Sequence, residues 1–411
     1  MKRRDFVFST LAGISLLPAC ARVQENASEE SPNRDEPPSV GNPLFWVKNI
    51  PASPFAAGPD SHAGIDALIR LMGRNGMKFY RSPVSGPDRG PWGMIDANDV
   101  VLVKVNAQWK YRGCTNSDLV RGLIRRVLDH PDGFNGEVVI VENGQGRGSL
   151  RCDTRSSYGG SAEVHANAND ESHHFLYLVD TVFRDSRVSA FLLDPLRSTF
   201  IPDGDHATNG YRKHENVSYP CFTTAKGNRV ELREGIWTGS GYTQNLKLIN
   251  VPVLKHHDTG GSEITASLKH FYGLVSMADG SSGFRHYSGL GETCGKMIVS
   301  VRAPVLNIID AIWVSQGSIA GFPESTTMRV NQIMAGQDPV ALDFYAAKHV
   351  LYPINNDSRH HPDFSGIRKW LTDACGTITL GGGIFNPDRG ILVKTVTQTE
   401  TDIQVFTEDL S

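Results

Sequence analysis

Polar residues stand at the ends of three apolar runs in the sequence. Lys104 and Asn106 close the first run, which begins at residue 100. Glu142 closes the second run, and Lys255 closes the third. Ligands of open α/β sheets bind outside the carboxyl ends of the strands, so these groups are predicted to meet at one site. A lysine near a carboxylate suits anion binding or proton transfer.

Lys104 has two interpretations. It lies among valine and leucine residues, so its ammonium group is expected to be partly buried. As a functional group, it would contact a ligand anion or act as a base whose pKa is lowered by burial. As a structural group, it would form a salt bridge with Glu142 on the adjacent strand. The sequence leaves both interpretations open.

Residues 255–273 form the densest polar segment of the chain. Its glycines allow backbone N–H groups to face an anion, and its hydroxyl and ammonium groups add further donors. This composition is typical of a cradle for phosphate or carboxylate, although the segment lacks the Gly-Lys-Ser/Thr of a Walker loop. The predicted ligand-binding residues are Asn106, Lys255, Thr265, Ser267 and Lys269.

Proton transfer needs a positioned acid or base, and His257 and Glu142 are the candidates. Together with Lys104 they form the predicted catalytic set. His256, His257 and Asp258 could instead hold a metal ion, but neighbouring residues of a strand point to opposite faces. At most one histidine of that pair then faces the site, and the sequence does not assign a metal.

The N-terminus carries the features of an export signal. Arg3 and Arg4 precede an apolar run too short to span a bilayer, a pattern that resembles the twin-arginine signal. Residues 17–20 resemble a lipobox, which implies cleavage before Cys20 and lipidation of its thiol. An ordinary secretory signal or a buried N-terminal helix is the alternative. We expect the twin-arginine export machinery as a partner and a periplasmic or cell-surface location, with a lipid anchor as the only membrane contact.

Composition divides the 411 residues into three parts. Residues 1–19 are the predicted signal peptide, residues 20–43 the lipidated cysteine with a flexible tether, and residues 44–411 a single elaborated α/β domain. A net charge of −3 argues against a nucleic-acid partner. No C-x-x-C spacing occurs, so the chain has no built-in iron–sulfur motif. Disulfide pairing stays open among Cys114, Cys152, Cys221, Cys294 and Cys375.

Alternating strand and helix patterns predict the fold class. Residues 100–105 have the pattern of a strand buried on both faces. A helix start signal at residues 116–118 is followed by apolar residues at helical spacing from 119 to 128, and residues 138–142 have the pattern of the next strand. This β-α-β unit implies a parallel pair of strands. Further elements are predicted at residues 246–254, 305–312, 328–334 and, as a helix with Asp338 as its cap, 338–350. We predict an α/β fold, with a mainly parallel sheet flanked by helices and irregular insertions at residues 144–172 and 197–245.

The order of these motifs resembles the DUF362 family, a domain of unknown function. The matching segments are residues 103–106, 115–117, 138–142, 251–257, 267–273 and 335–343. The resemblance covers about residues 95–350 and is most specific around Lys255 and in the segment from Leu268 to Gly273. Many family members carry an added ferredoxin-like iron–sulfur segment, whose cysteines this chain lacks. The resemblance therefore implies a fold and a site, but neither a cofactor nor a reaction.

These features predict an enzyme of unassigned class that acts on a small anionic molecule or cofactor through a Lys/His site at strand ends. The alternative is a non-catalytic binding lipoprotein for an anionic or glycan-like ligand. A structural scaffold would leave the polar groups at the strand ends unexplained. A ligand that is bound but never turned over would distinguish the binding protein from the enzyme.

Overall fold

A computed structural model describes residues 42–146, 148–153, 163–257, 263–280 and 283–411. These residues all belong to one structural unit. The predicted signal peptide, with Arg3, Arg4 and Cys20, lies outside them, as do Asp258 and the glycines that follow it. Within the described residues, no helix combines the length and apolar character that crossing a bilayer requires.

Strands and helices alternate along most of the described chain. The nineteen strands are, in chain order, β1 (Asn42–Lys48), β2 (Tyr80–Arg81), β3 (Arg89–Gly90), β4 (Val100–Lys104), β5 (Glu137–Glu142), β6 (Val188–Leu192), β7 (Gly210–His214), β8 (Val217–Thr223), β9 (Arg229–Glu231), β10 (Gly235–Trp237), β11 (Tyr242–Thr243), β12 (Leu246–Asn250), β13 (Val253–His256), β14 (Ile264–Thr265), β15 (Leu306–Ser315), β16 (Thr327–Gly336), β17 (Ile384–Asn386), β18 (Gly390–Val393) and β19 (Ile403–Asp409). The ten α-helices of the described part are α1 (Ala63–Arg74), α2 (Ser117–Leu128), α3 (Phe175–Tyr177), α4 (Ser267–Tyr272), α5 (Met277–Gly280), α6 (Gly283–His286), α7 (Leu290–Lys296), α8 (Pro339–Ala346), α9 (Tyr352–Asn355) and α10 (Ser365–Leu380). Helices α3, α7 and α8 continue as π-helical turns at Leu178–Phe183, Met297–Val301 and Ala347–Leu351.

One large sheet organises the molecule. Its order is β19-β1-β16-β15-β12-β4-β5-β6, and β13 and β14 branch from β15. Strands β15, β12, β4, β5 and β6 run parallel to one another, whereas β16 is antiparallel to both β15 and β1. This sheet confirms the predicted α/β fold with mainly parallel strands. The carboxyl ends of the five parallel strands share one edge, which is the edge that positions the site.

The interiors of the central strands β4 and β5 are apolar because both faces of the sheet are covered. In β4, Val101 and Val103 face a core formed with helices α1 and α2, while Val100 and Leu102 face a core formed with α4, α7, α8 and α10. Side chains of a strand alternate between faces, so an unbroken apolar run supplies both cores at once. The five-stranded sheet β11-β10-β9-β8-β7 packs into the second core.

Two segments differ from the sequence-based expectation. The single strand predicted at residues 246–254 is wrong, because the run is divided into β12 and β13 at Val251 and Pro252. Proline has no N–H to donate to a neighbouring strand, so the pairing is interrupted at Pro252. After Pro252, β13 pairs in parallel with β15. The segment at residues 197–245 is expected from the sequence to be irregular, with short strands such as residues 229–232. It contains such short strands, and these assemble into the five-stranded antiparallel sheet.

Two buried carboxylates accept hydrogen bonds from backbone N–H groups at the starts of helices α8 and α4. The predicted cap Asp338 accepts hydrogen bonds from the backbone N–H groups of Val340 and Ala341 at the start of α8. In the same helix, Asp343 is fully buried and accepts from the N–H groups of Ser267 and Leu268, at 2.6 and 2.9 Å. Asp343 therefore satisfies the first N–H groups of α4, which have no partner within that helix.

Replacing Asp343 with alanine is expected to lower the free energy of unfolding by about 2–4 kcal/mol, because two buried N–H groups lose their acceptors. Urea denaturation of both proteins measures this difference. Asp363→Ala is the matched control, since the Asp363 side chain is 73% exposed, and its effect should stay within about 0.5 kcal/mol. Equal stability of the two variants would contradict the assignment.

Candidate functional site

A buried ion pair lies at the carboxyl edge of the sheet. The Nζ of Lys104 lies 2.6 Å from Oε2 of Glu142, and the two side chains are only 1% and 3% exposed. Strands β4 and β5 end side by side, with Lys104 opposite Val141, so the register places the ammonium next to the carboxylate. The salt bridge considered for Lys104 on sequence grounds is thus present.

The ammonium of Lys104 has two further partners. It donates to the carbonyl of Val105 at 2.8 Å and lies 3.1 Å from Nε2 of His270. An ammonium group carries three donors and no acceptor, so Nε2 of His270 must be the acceptor of that contact. The Nδ1–H of His270 then donates to Oδ1 of Asn250 at 2.7 Å. All three donors of Lys104 are therefore used within the protein.

Asn250 extends this network across the sheet. Its Nδ2 donates to the carbonyl of Ser267 at 3.0 Å and to Oδ1 of Asn307 at 2.9 Å. These bonds join β12, β15 and α4, and they define which way the Asn250 amide points. A buried polar network of this kind is stable only because its members are satisfied.

Gly273 follows α4 where the backbone approaches Lys104 closely. A Cβ atom at this position would lie 3.1 Å from Nζ of Lys104 and 3.0 Å from the carbonyl oxygen of His270. Both distances are tighter than ordinary van der Waals packing. The absence of a side chain at Gly273 therefore leaves room for the side chain of Lys104.

A cavity of about 260 Å³ opens above the ion pair. It lies between the ends of β4 and β5, the end of β13, helix α4 and the segment that contains α5 and α6. Its polar lining consists of Lys104, Asn106, Gln108, Glu142, Asn143, Gln145, His257, Thr265, Lys269, His270, Tyr272, His286 and Tyr287. Six of these were predicted from the sequence as catalytic or ligand-binding residues: Lys104, Asn106, Glu142, His257, Thr265 and Lys269.

Burial shifts the pKa values of the groups around the ion pair. Desolvation raises the pKa of Glu142 to about 7, although the ammonium of Lys104 acts in the opposite direction. Desolvation likewise lowers the pKa of Lys104, against the attraction of Glu142. Burial, followed by the charge of Lys104, keeps the pKa of His270 well below its ordinary value. Glu142 can therefore exchange a proton near neutral pH.

His257 faces the cavity from the end of β13. Its Nδ1 lies 3.0 Å from Oγ1 of Thr265. Burial and then the positive charge of Lys269 hold the pKa of His257 well below its ordinary range. The imidazole is consequently neutral at pH 7 and can offer a hydrogen bond rather than a charge.

Asn106 and Lys269 are the other predicted ligand-binding residues that line the cavity with Thr265. Oδ1 of Asn106 is buried and has no hydrogen-bond partner among the described residues. Buried polar atoms are normally paired, so this oxygen is available to a ligand donor. The structure thus brings the predicted groups from β4, β13, β14 and α4 into one cavity.

Two predicted ligand-binding residues lie apart from the cavity lining. The Nζ of Lys255 donates to the carbonyl of Gly113 at 2.6 Å, and Lys255 does not line the cavity. Desolvation lowers the pKa of Lys255 to about 7. Ser267 is fully buried at the start of α4, where its N–H donates to Asp343.

Sequence reasoning missed His270 and Asn250 as members of the site. Asn250 is a polar residue at the end of an apolar strand, which is the same signal that singled out Lys104. His270 directly follows Lys269, but its contact with Lys104 spans 166 positions of the chain. Only the packing of α4 against the sheet edge brings these two side chains together.

Comparisons with known proteins give one match. A family model described as a domain of unknown function (DUF362) matches residues 219–348. This range contains Lys255, His257 and Lys269, and it supports the resemblance to that family. Lys104 and Glu142 lie outside the matched residues. No curated protein and no solved structure gives a significant match to the chain.

Replacing Lys104 with methionine should destabilise the protein strongly, because Glu142 would lose the partner of its buried carboxylate. Breaking a buried ion pair from one side costs about 3–5 kcal/mol. The double variant Lys104→Met, Glu142→Gln removes both charges and should recover more than half of that loss. Urea denaturation at pH 8 measures all three proteins, and Lys369→Met on the exposed face of α10 is the control. A double variant no more stable than Lys104→Met would show that the pair is not the source of the effect.

Proposed function

We propose that this protein is an enzyme that binds a small anionic substrate in the cavity and moves a proton to or from it through Glu142. One observation supports this above the others: a carboxyl group lining the cavity, next to a lysine, has a pKa of about 7. A general base is most effective when its pKa lies near the working pH. Burial also raises the pKa of the structural carboxylates Asp338 and Asp343 to about 7, but neither of them lines the cavity.

Lys104 is a positioning residue in this proposal. Its three donors are directed to Glu142, Val105 and His270, so it has none left for a ligand. Burial raises the pKa of Glu142, and the positive charge of Lys104 counteracts this rise, so the ionised carboxylate is still populated near neutral pH. Removing Lys104 would therefore act through Glu142 rather than through the substrate.

In this proposal, Lys269 and the neutral hydrogen-bonding groups around it bind the anionic group of the substrate. Lys269 lines the cavity from α4, facing the same space as Asn106, Thr265 and His257. An ammonium beside neutral hydrogen-bonding groups attracts carboxylate or phosphate without demanding one geometry. His257, being neutral, would orient the substrate by a hydrogen bond.

The proposed step transfers one proton between the substrate and Glu142. The ionised Glu142 takes a proton from the substrate carbon or oxygen next to the anionic group, and the electron pair stays on the substrate. Glu142 becomes a neutral carboxylic acid and then returns the proton. Because the proton moves only between the substrate and Glu142, the net charge in the cavity does not change, and Lys269 holds the substrate anion throughout.

The test begins with binding. Isothermal titration with inorganic phosphate, succinate and glycerol 3-phosphate samples both anion classes. Lys269→Met should weaken binding about 10- to 100-fold, the value of a charge-assisted hydrogen bond, whereas Lys369→Met on the surface should leave it unchanged. No binding of any anion by the wild type would refute an anion site.

The rate of substrate proton exchange with D₂O, followed by NMR for any anion that binds, should rise about tenfold per pH unit and level off above pH 7. The sign follows from the raised pKa of Glu142, because the group acts as a base only when ionised and is protonated below about 7. Glu142→Gln should reduce exchange at least about 100-fold while binding persists. Binding without exchange in the wild type would indicate a non-catalytic binding protein instead.

Export is a separate part of the proposal. We infer from Arg3, Arg4 and Cys20 that the chain leaves the cytoplasm by the twin-arginine route and is lipid-anchored. A single acyl anchor gives weak membrane binding, so stable attachment needs the diacyl and N-acyl groups of a lipoprotein.

Replacing both Arg3 and Arg4 with lysine should leave the protein in the cytoplasm, as judged by cell fractionation. Lys2→Arg is the matched control and should be exported. Cys20→Ala should be recovered without lipid, which intact-mass measurement detects. Normal export of the double arginine variant would exclude the twin-arginine route and leave the cavity proposal unaffected.

A further inference from the structure

Three metal-ligating side chains meet on the side of β13 away from the cavity. His256, Asp357 and His360 each place one donor atom within 4.8 Å of the others. We call this group the His256–Asp357–His360 cluster. His256 is the last residue of β13 and His257 follows it directly, and the extended backbone sends the two imidazoles to opposite sides.

Distant parts of the chain build the cluster. His256 ends β13, whereas Asp357 and His360 belong to a short turn with a 3₁₀ helix at Ser358–His360. Asp357 caps that turn by accepting from the N–H of Arg359 at 3.0 Å. The spacing of Asp357 and His360 therefore places both side chains on one side of a single turn.

The two imidazoles face each other directly. Nδ1 of His256 lies 2.9 Å from Nε2 of His360. His360 is fully buried, and its other ring nitrogen, Nδ1, has no hydrogen-bond partner among the described residues. A buried histidine held against a second histidine, with one nitrogen unsatisfied, is an incomplete polar arrangement.

Asp357 supplies the negative charge of the cluster. Its carboxylate accepts from Nε and Nη2 of Arg359, at 2.5–3.1 Å. These bonds fix the orientation of the carboxylate beside the two histidines. A carboxylate has about four lone-pair positions, so it can bind a cation while Arg359 orients it.

We propose that the His256–Asp357–His360 cluster binds one divalent transition-metal ion of the Zn²⁺ type. Two imidazoles and one carboxylate suit zinc, cobalt or nickel rather than magnesium or calcium, which prefer oxygen ligands. Metal–ligand bonds of about 2.0–2.2 Å require the donors to lie about 3–4 Å apart. The donor atoms lie within 4.8 Å of one another and the imidazole nitrogens 2.9 Å apart, so side-chain rotations would have to open the histidine pair slightly and draw in Asp357.

Three protein ligands leave at least one coordination position for water or another ligand. A bound ion would also fasten the turn at residues 357–360 to the end of β13. That strand end carries His257 into the cavity, so the metal would order one wall of it. The inference rests on the cluster alone and does not depend on the reaction proposed for Glu142.

Titration of the untagged, EDTA-treated protein with Co²⁺, followed by visible absorption and then by Zn²⁺ competition, tests the site. The wild type should bind one equivalent per chain with the intense visible bands of a four- or five-coordinate ion. His256→Ala and His360→Ala should weaken binding by more than the roughly 10- to 100-fold that loss of an outer-shell partner costs. Asp357→Asn, a milder change, should weaken it as well.

His361→Ala is the matched control. His361 is the next residue of the same turn, but its Nδ1 accepts from the N–H of Asp363 and it stands outside the cluster. This variant should bind Co²⁺ as the wild type does. Far-UV circular dichroism identifies any variant that fails to fold, and Asp357→Asn then decides the question. Failure of the wild type to bind, or equal binding by Asp357→Asn and the wild type, would overturn the metal site.

Discussion

The buried pair of Lys104 and Glu142 is the constraint on which the site depends. Two charges removed from water are tolerated only when they are close and their remaining hydrogen-bonding capacity is met. The parallel register of β4 and β5 meets the first condition. His270 and the carbonyl of Val105 meet the second. The position of α4 and the glycine that follows it are consequences of accommodating this ammonium.

The same network connects the sheet to the helices that cover it. Asn250 fixes the tautomer of His270 and bonds to β15, and Asp343 satisfies the start of α4 from a neighbouring helix. The polar groups at this edge are therefore held by bonds from several elements at once. A cavity lined by groups that are held in this way can present a carboxyl group near its pKa without reorganisation.

Strand β13 presents different chemistry on its two sides. His257 faces the cavity, while His256 faces the cluster with Asp357 and His360. Lys255 lies on neither lining and instead bonds the backbone at Gly113. The four-residue strand β13 and the residue after it therefore contribute to the proposed proton-transfer site, to the proposed cation site and, through Lys255, to the structure. This is possible because β13 branches from β15, and other segments of the chain pack around its end.

The sequence by itself determined the fold class and most of the parallel edge. Unbroken apolar runs such as β4 and β5 require cover on both faces, and the polar residues that end them had to meet at one edge. Local signals also identified the cap Asp338. Only the tertiary structure decided that Lys104 contacts His270, that Lys255 bonds the backbone of Gly113, and that His256 meets His360. These contacts span more than one hundred positions, and no local pattern encodes which side chains the packing of separate elements brings within a few ångströms.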